Sequence, residues 1–232
     1  MSSLVRRLVA EAIGTFALVF IGAAVVVVNG GFPNSGIGLI GIALAHALVL
    51  SVLVTATMNI SGGHLNPAVT IGLLVTRRID AGSAVAYIIT QLASACVAAA
   101  LVQFLLPAAA VKAALVGAPT IADSITLGQA IGIETVLTFL LVSAVFGTAV
   151  SPEAPRVGGF GIGMVLLFDI LVGGPLTGGV MNPARAFGPS LIAGEWTGHM
   201  AYWIGPIVGA VLAALVWEYI LLPRAQKTIA AG

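Results

Sequence analysis

Charge is what this chain has least of. Only 7% of its 232 residues are Asp, Glu, Lys or Arg, against about a quarter in a soluble domain. So few charges cannot keep a water-facing surface soluble. With 59% hydrophobic residues and a mean hydropathy of +1.15, the chain reads as an integral membrane protein. A formal net charge of +1 leaves nothing to neutralise a phosphate backbone, so no nucleic-acid partner is expected. A single cysteine, Cys96, excludes an internal disulfide and a thiolate metal cluster. The three histidines, His46, His64 and His199, lie in separate segments, which disfavours a histidine metal site. No nucleophile–base pair or phosphate loop is present, so neither an enzyme nor a cofactor is expected.

What the chain has is long hydrophobic runs. Six read as membrane spans: about Leu8–Val28, Gly36–Thr57, Gly82–Leu105, Leu127–Thr148, Gly158–Gly173 and His199–Leu222. Arg6 and Arg7 ahead of the first run resemble a signal peptide. That run is nevertheless long enough to cross a bilayer at about 1.5 Å per residue, and it shows no convincing cleavage site. It reads as a retained span. Polar breaks at 29–35, 77–81, 107–125 and 151–157 separate the runs.

The tripeptide Asn-Pro-Ala occurs twice, each time behind a hydroxyl residue, two glycines and two variable residues. The copies are Ser61-Gly62-Gly63-His64-Leu65-Asn66-Pro67-Ala68 and Thr177-Gly178-Gly179-Val180-Met181-Asn182-Pro183-Ala184. Asn-Pro is a helix-start signal, because proline at the first helical position forfeits no hydrogen bond. The apolar stretches that follow, Val69–Val75 and Ala186–Ala193, are too short to span and read as re-entrant half-helices.

The repetition extends further. Span one carries Glu11-x-x-x-Thr15-Phe16 and span four Glu134-x-x-x-Thr138-Phe139; Tyr87 and Tyr202 sit at the starts of spans three and six. Three spans per half is an odd number, so the second half, about 126–222, is inverted relative to the first, about 1–106, within one channel domain over 1–232. Arg6, Arg7, Arg77, Arg78, Arg156, Arg224 and Lys227 fall on one side of this layout, and only Lys112 lies in a loop on the other. Both termini are therefore expected to be cytoplasmic. The short N-terminus fits a prokaryotic inner membrane.

Irregular backbone at membrane depth is tolerated only where it is buried in protein or lines a water-filled cavity. Glycines let each lead-in loop come close to a permeant, and the loop carbonyls offer a row of acceptors. Asn66 and Asn182 would cap the half-helices and aim amide N–H groups into the channel. Two facing helix N-termini, each worth about half a positive charge, would repel cations and pass neutral acceptors such as water. Arg185 follows the second motif directly. An arginine at membrane depth faces a cavity by default, and the plainer alternative is one snorkelling to the interface.

These residues carry a family resemblance. Both Asn-Pro-Ala motifs, the two Glu-x-x-x-Thr-Phe segments and the run Asn182-Pro183-Ala184-Arg185-Ala186-Phe187-Gly188-Pro189 resemble the aquaporins, or major intrinsic proteins, over nearly the whole chain. The resemblance implies an all-α membrane protein of six transmembrane helices and two re-entrant half-helices. It implies a homotetramer in membrane lipid, each protomer with its own pore for water and small neutral solutes. It gives Glu11 and Glu134 the task of holding the re-entrant loops.

The family's narrow filter maps onto His46, Ile170, Gly179 and Arg185. That set, with the nearby Ala43-Leu44-Ala45-His46-Ala47 and Gly173-Gly174-Pro175-Leu176-Thr177-Gly178-Gly179, resembles plant tonoplast intrinsic proteins, which carry water and ammonia. Ile170 supplies no donor and Gly179 leaves its wall open, so the constriction is expected to be wide and only half polar. His46 and Arg185 are expected to supply its donors; for His46 a core histidine bonded within the bundle is the alternative. Ammonia, and at the limit urea, fit such an opening.

A strictly water-selective pore is the alternative reading. A glycerol facilitator is less favoured, because Ala186 and Tyr202-Trp203 match the water-channel pattern. From other classes, a coupled transporter would need an ion site seeded by Asp169 with Glu134, and a junctional protein would show little flux. Asp169 stands where relatives of the vacuolar type tend to have asparagine, and is expected to hydrogen-bond within the fold. The connection at 107–125 lacks the histidine that some ammonia-permeable relatives carry. His64 is expected to bond the loop rather than gate by pH. Cys96 is expected to pack, with a reach to the pore left open. Trp196, Tyr202 and Trp217 are expected near the membrane interfaces.

Overall fold

The computed structural model describes residues 3–223. Arg224 and Lys227, which entered the charge sorting, lie outside the described residues.

The described chain is all-helical. Six helices are long and apolar enough to cross a membrane. They are α1 (Ser3–Gly31), α2 (Gly38–Ser61), α4 (Ala81–Leu105), α6 (Leu127–Val145, continued by a wider turn to Val150), α7 (Phe160–Thr177) and α9 (Ala201–Val216, continued to Leu221). Two short helices start at the Asn-Pro-Ala motifs: α3 (Pro67–Val75) and α8 (Pro183–Ala193). One more, α5 (Ala108–Ala113), lies in the connection read as a polar break.

Several helix ends have a local cause. Asp80 caps α4 by accepting the Ser83 N–H at 2.9 Å, and the Ser83 hydroxyl and amide hold its carboxyl below the usual carboxylate range. Thr126 and Gln129 cap α6 reciprocally, which satisfies two first-turn donors. Both α2 and α7 end on a glycine in the left-handed region, Gly62 and Gly178, which closes the last turn without a Cβ clash.

While α3 and α8 are buried on most sides, burial in each spanning helix follows one stripe. In α1 it runs Ala10, Glu11, Thr15, Leu18, Val19, Gly22 and Ala23, while Val5, Val9, Ile13 and Ile21 are exposed. Between residues 8 and 28 both faces are apolar apart from the buried Glu11 and Thr15, as a lipid-facing helix requires. The half-helices pack across the two halves: α3 lies against α9, and α8 against α4. Small residues permit this, since a Cβ at Gly188 would collide with the Ala95 carbonyl and one at Gly72 would lie 3.2 Å from that of Ala210. Arg78 bonds Glu218 at 2.7 Å and ties the exit of α3 to the end of α9.

Tyr202, at the start of α9, is 1% exposed, and its hydroxyl donates to the Thr177 carbonyl at 2.9 Å. Tyr87 does the same to the Ser61 carbonyl at 2.8 Å. Each tyrosine clamps the end of the helix before a lead-in loop.

Candidate functional site

The two lead-in loops follow matched conformations. Gly62, Gly63 and Leu65 in the first, and Gly178, Gly179 and Met181 in the second, all lie at positive φ. Such a backbone exposes N–H groups that need acceptors, and a buried glutamate supplies them in each half. Glu11 accepts from the Ser61 hydroxyl (2.6 Å), the His64 N–H (3.0 Å) and the Leu65 N–H (2.7 Å). Glu134 accepts from the Thr177 hydroxyl (2.7 Å), the Val180 N–H (3.0 Å) and the Met181 N–H (2.7 Å). Gln91 adds a fourth donor to Glu11 at 2.9 Å. A carboxylate accepting backbone N–H groups makes charge-assisted bonds, stronger than neutral ones.

The loops set the asparagines. Asn66 accepts the Ala68 N–H at 2.8 Å, and Asn182 accepts that of Ala184 at 3.0 Å. Their amide groups cross over: Asn66 donates to the Met181 carbonyl at 2.9 Å and Asn182 to that of Leu65 at 3.0 Å. The two half-helix N-termini are thereby bolted head to head, and each amide keeps one further N–H. Pro67 and Pro183 open the two helices and Ala68 and Ala184 follow, all four buried.

A cavity of about 220 Å³ passes this junction. It is lined by Asn66 and Asn182, by His46, Ile170, Gly179 and Arg185, and by apolar side chains such as Leu18, Leu50, Val54, Leu141 and Leu166. All four positions expected for the filter are thus brought to one cavity with both asparagines. Neither Asp169 nor Cys96 is among its lining residues.

Arg185 is buried, not snorkelling. Its Nε–H donates to His46 Nε2 at 3.3 Å, Nη1 to the Gly117 carbonyl at 3.0 Å, and Nη2 to the Gly22 carbonyl at 3.4 Å. Arginine has no acceptor, so His46 Nε2 must carry the lone pair, and Nδ1–H donates to the Ile42 carbonyl at 2.9 Å. His46 is therefore a neutral ring with both nitrogens engaged. It lines the cavity and is bonded within the bundle at once, and it offers the permeant no N–H. Of the five guanidinium N–H donors, those not spent on protein remain as the polar wall.

The connection at 107–125 contributes more than its composition foretold. Leu115, Val116 and Gly117 are three successive left-handed residues, an unusual conformation for a bulky or β-branched side chain. It is held by burial of Val116, by the Gly117 bond to Arg185, and by the Ala122 N–H bond to the Leu176 carbonyl at 2.9 Å. Gly117, Ala118, Pro119 and Thr120 then line the cavity. Gly117 beside Ala118-Pro119 was the one local signal of a turn there.

Asp169 does not serve the loops, whose Val180 and Met181 N–H groups go to Glu134. Its Oδ2 is buried without a hydrogen-bond partner among the described residues. His64 bonds Thr70 Oγ1 at 3.1 Å and meets Tyr87 edge-on, so it braces the first loop.

Apolar spans around a cavity that runs past two facing half-helices define a membrane pore. A profile of the family described as Major intrinsic protein matches residues 1–217. "Aquaporin TIP4-4" of Zea mays is 41% identical over 229 residues, spanning 95% of this chain and 88% of the relative. "Probable aquaporin TIP3-2" of Arabidopsis thaliana is 37% identical over 236 residues, spanning 96% and 86%. The X-ray structure of the aquaglyceroporin from Plasmodium falciparum superposes with a TM-score of 0.82, covering 94% of this chain and 96% of that one. At 24% identity it speaks to the fold alone. The chain belongs to the major intrinsic protein family, the aquaporins.

It is accordingly a passive membrane channel and not an enzyme. The expectation of a prokaryotic inner membrane is overturned. These relatives are plant proteins of the tonoplast intrinsic type, eukaryotic rather than prokaryotic. The earlier expectation rested on a short N-terminus, and the length of a terminal segment does not specify a membrane.

Proposed function

We propose that this channel passes water and ammonia, with urea at its size limit, and excludes protons and ions. His46, Ile170, Gly179 and Arg185 form its narrowest passage. The observation that carries this reading is the composition of the wall around the lining guanidinium. Ile170 and Gly179 line the same cavity as Arg185, and His46 spends both ring nitrogens on Ile42 and Arg185. A permeant there meets one cluster of donors and otherwise apolar surface, which suits a small acceptor that sheds its water readily. The facing N-termini of α3 and α8 repel cations. The two halves, about 1–106 and 126–222, act as inverted repeats of one domain, a reading supported by their matched glutamate, asparagine and tyrosine bonds. Four such protomers would assemble, each with its own pore.

The test is the double change His46→Phe, Ile170→His in proteoliposomes. It replaces an open apolar wall with a bulky ring and a new donor. The ammonia-to-water permeability ratio is expected to fall by about tenfold or more, since one fitted group in a pocket discriminates by that much. An unaltered ratio would remove these residues from the filter.

A further inference from the structure

Gly22 occupies a singular place in α1. Leu18 and Val26, one turn before it and one turn after, both line the cavity. Residues four apart share one face of a helix, so Gly22 faces the pore as they do. It is nevertheless absent from the lining. The space its side chain would fill is taken by the filter pair: a Cβ there would collide with His46 Nε2 and lie 3.1 Å from Arg185 Nε. The Gly22 carbonyl also accepts Arg185 Nη2 at 3.4 Å. His46 and Arg185 therefore stand between α1 and the lumen, resting on bare backbone.

We infer that Gly22 is a specificity-determining positioning residue, a notch in α1 into which His46 and Arg185 retract to hold the filter open. This rests on the reading that those two side chains bound the narrowest passage. A methyl group at residue 22 has no room behind the pair, so it pushes the imidazole and the guanidinium toward Ile170 and Gly179. The opening narrows while the chemistry of its walls is unchanged. Solutes larger than water lose first. Helix α1 itself does not suffer, since alanine favours a helix over glycine.

The experiment compares Gly22→Ala, His46→Ala and the double variant in proteoliposomes, reading ammonia entry and osmotic water flux in one preparation. Gly132→Ala on α6 is the control, where a Cβ meets nothing within 4 Å. Gly22→Ala is expected to lower the ammonia-to-water ratio by about tenfold, as one methyl in a fitted passage does. In the His46→Ala background, where the main obstacle is gone, the same change is expected to have little effect. Loss of both fluxes to the same extent in either background would make Gly22 a packing residue only and overturn the inference. An unchanged ratio in Gly22→Ala, with an altered one in His46→Ala, overturns the inference and leaves the filter reading standing. No change in either variant overturns the filter reading and the inference with it. Should Gly22→Ala fail to fold, recovery of folded protein in the double variant supports the contact with His46, and failure of both overturns it.

Discussion

Cation exclusion is expected to weaken sharply in Arg185→Val. A unit charge about 4 Å from a permeating cation raises its energy by about 4 kcal/mol at an effective dielectric of about 20. At about 1.4 kcal/mol per factor of ten, removing it raises cation passage by up to about a thousandfold. The guanidinium is well placed to act so, being buried and fixed by Gly117, Gly22 and His46. Water is uncharged and feels no such barrier, so its flux stays of the same order. The half-helix N-termini remain and keep part of the barrier. Conductance across planar bilayers, alongside osmotic flux in vesicles, checks both halves of this expectation. Unchanged cation exclusion would mean that the facing helix termini suffice and that Arg185 does not set selectivity.

The second large effect is on stability. Glu134→Gln keeps the shape of the side chain but turns one acceptor oxygen into a donor group. The Thr177 hydroxyl and the Val180 and Met181 N–H groups all point at this carboxylate, so at least one buried donor then faces another. An unsatisfied buried donor costs roughly 1–3 kcal/mol, and more where the lost acceptor was ionised. Thermal unfolding in detergent is expected to shift down strongly, with water flux falling as the second loop loses its geometry. Asp169→Asn is the contrast. Its Oδ2 has no partner among the described residues, so the amide replaces a carboxyl that serves no loop. Stability and water flux are expected to hold or improve. If Asp169→Asn proved the more damaging of the two, the division of labour between these acids would be wrong.

The parts of the fold legible from sequence were those written in local pattern. Six spans and two half-helices stood out by hydrophobic length and by the Asn-Pro starts, and their bounds moved by only a few residues at most ends. The N-terminal end of α1 moved furthest, followed equally by the C-terminal ends of α2 and α7, because helix continues into residues read as polar or glycine-rich flanks. The glutamates could be assigned to the loops only through the family resemblance, and the partner atoms were invisible. Contacts between distant residues leave no periodicity, which is why the bond of Gly117 to Arg185 and that of Gln91 to Glu11 were not foreseen. His46 was expected to donate into the pore. Its two partners, Ile42 four residues back and Arg185 far along the chain, decide otherwise, and only the second lies beyond local reading. Tyr202 shows the same gap: its place at a span start was legible, but its acceptor, the Thr177 carbonyl, was not.

Ammonia entry into proteoliposomes, read as internal alkalinisation by stopped flow, tests the account most directly. The preparation must first be shown to shrink rapidly under osmotic shock. Entry well above that of empty vesicles is predicted, through a narrowest passage whose side-chain donors come from Arg185 and where Ile170 and Gly179 offer none. Entry no faster than in empty vesicles, with rapid shrinkage intact, would contradict it. The pore would then be water-selective, narrowed by the Gly117–Thr120 wall.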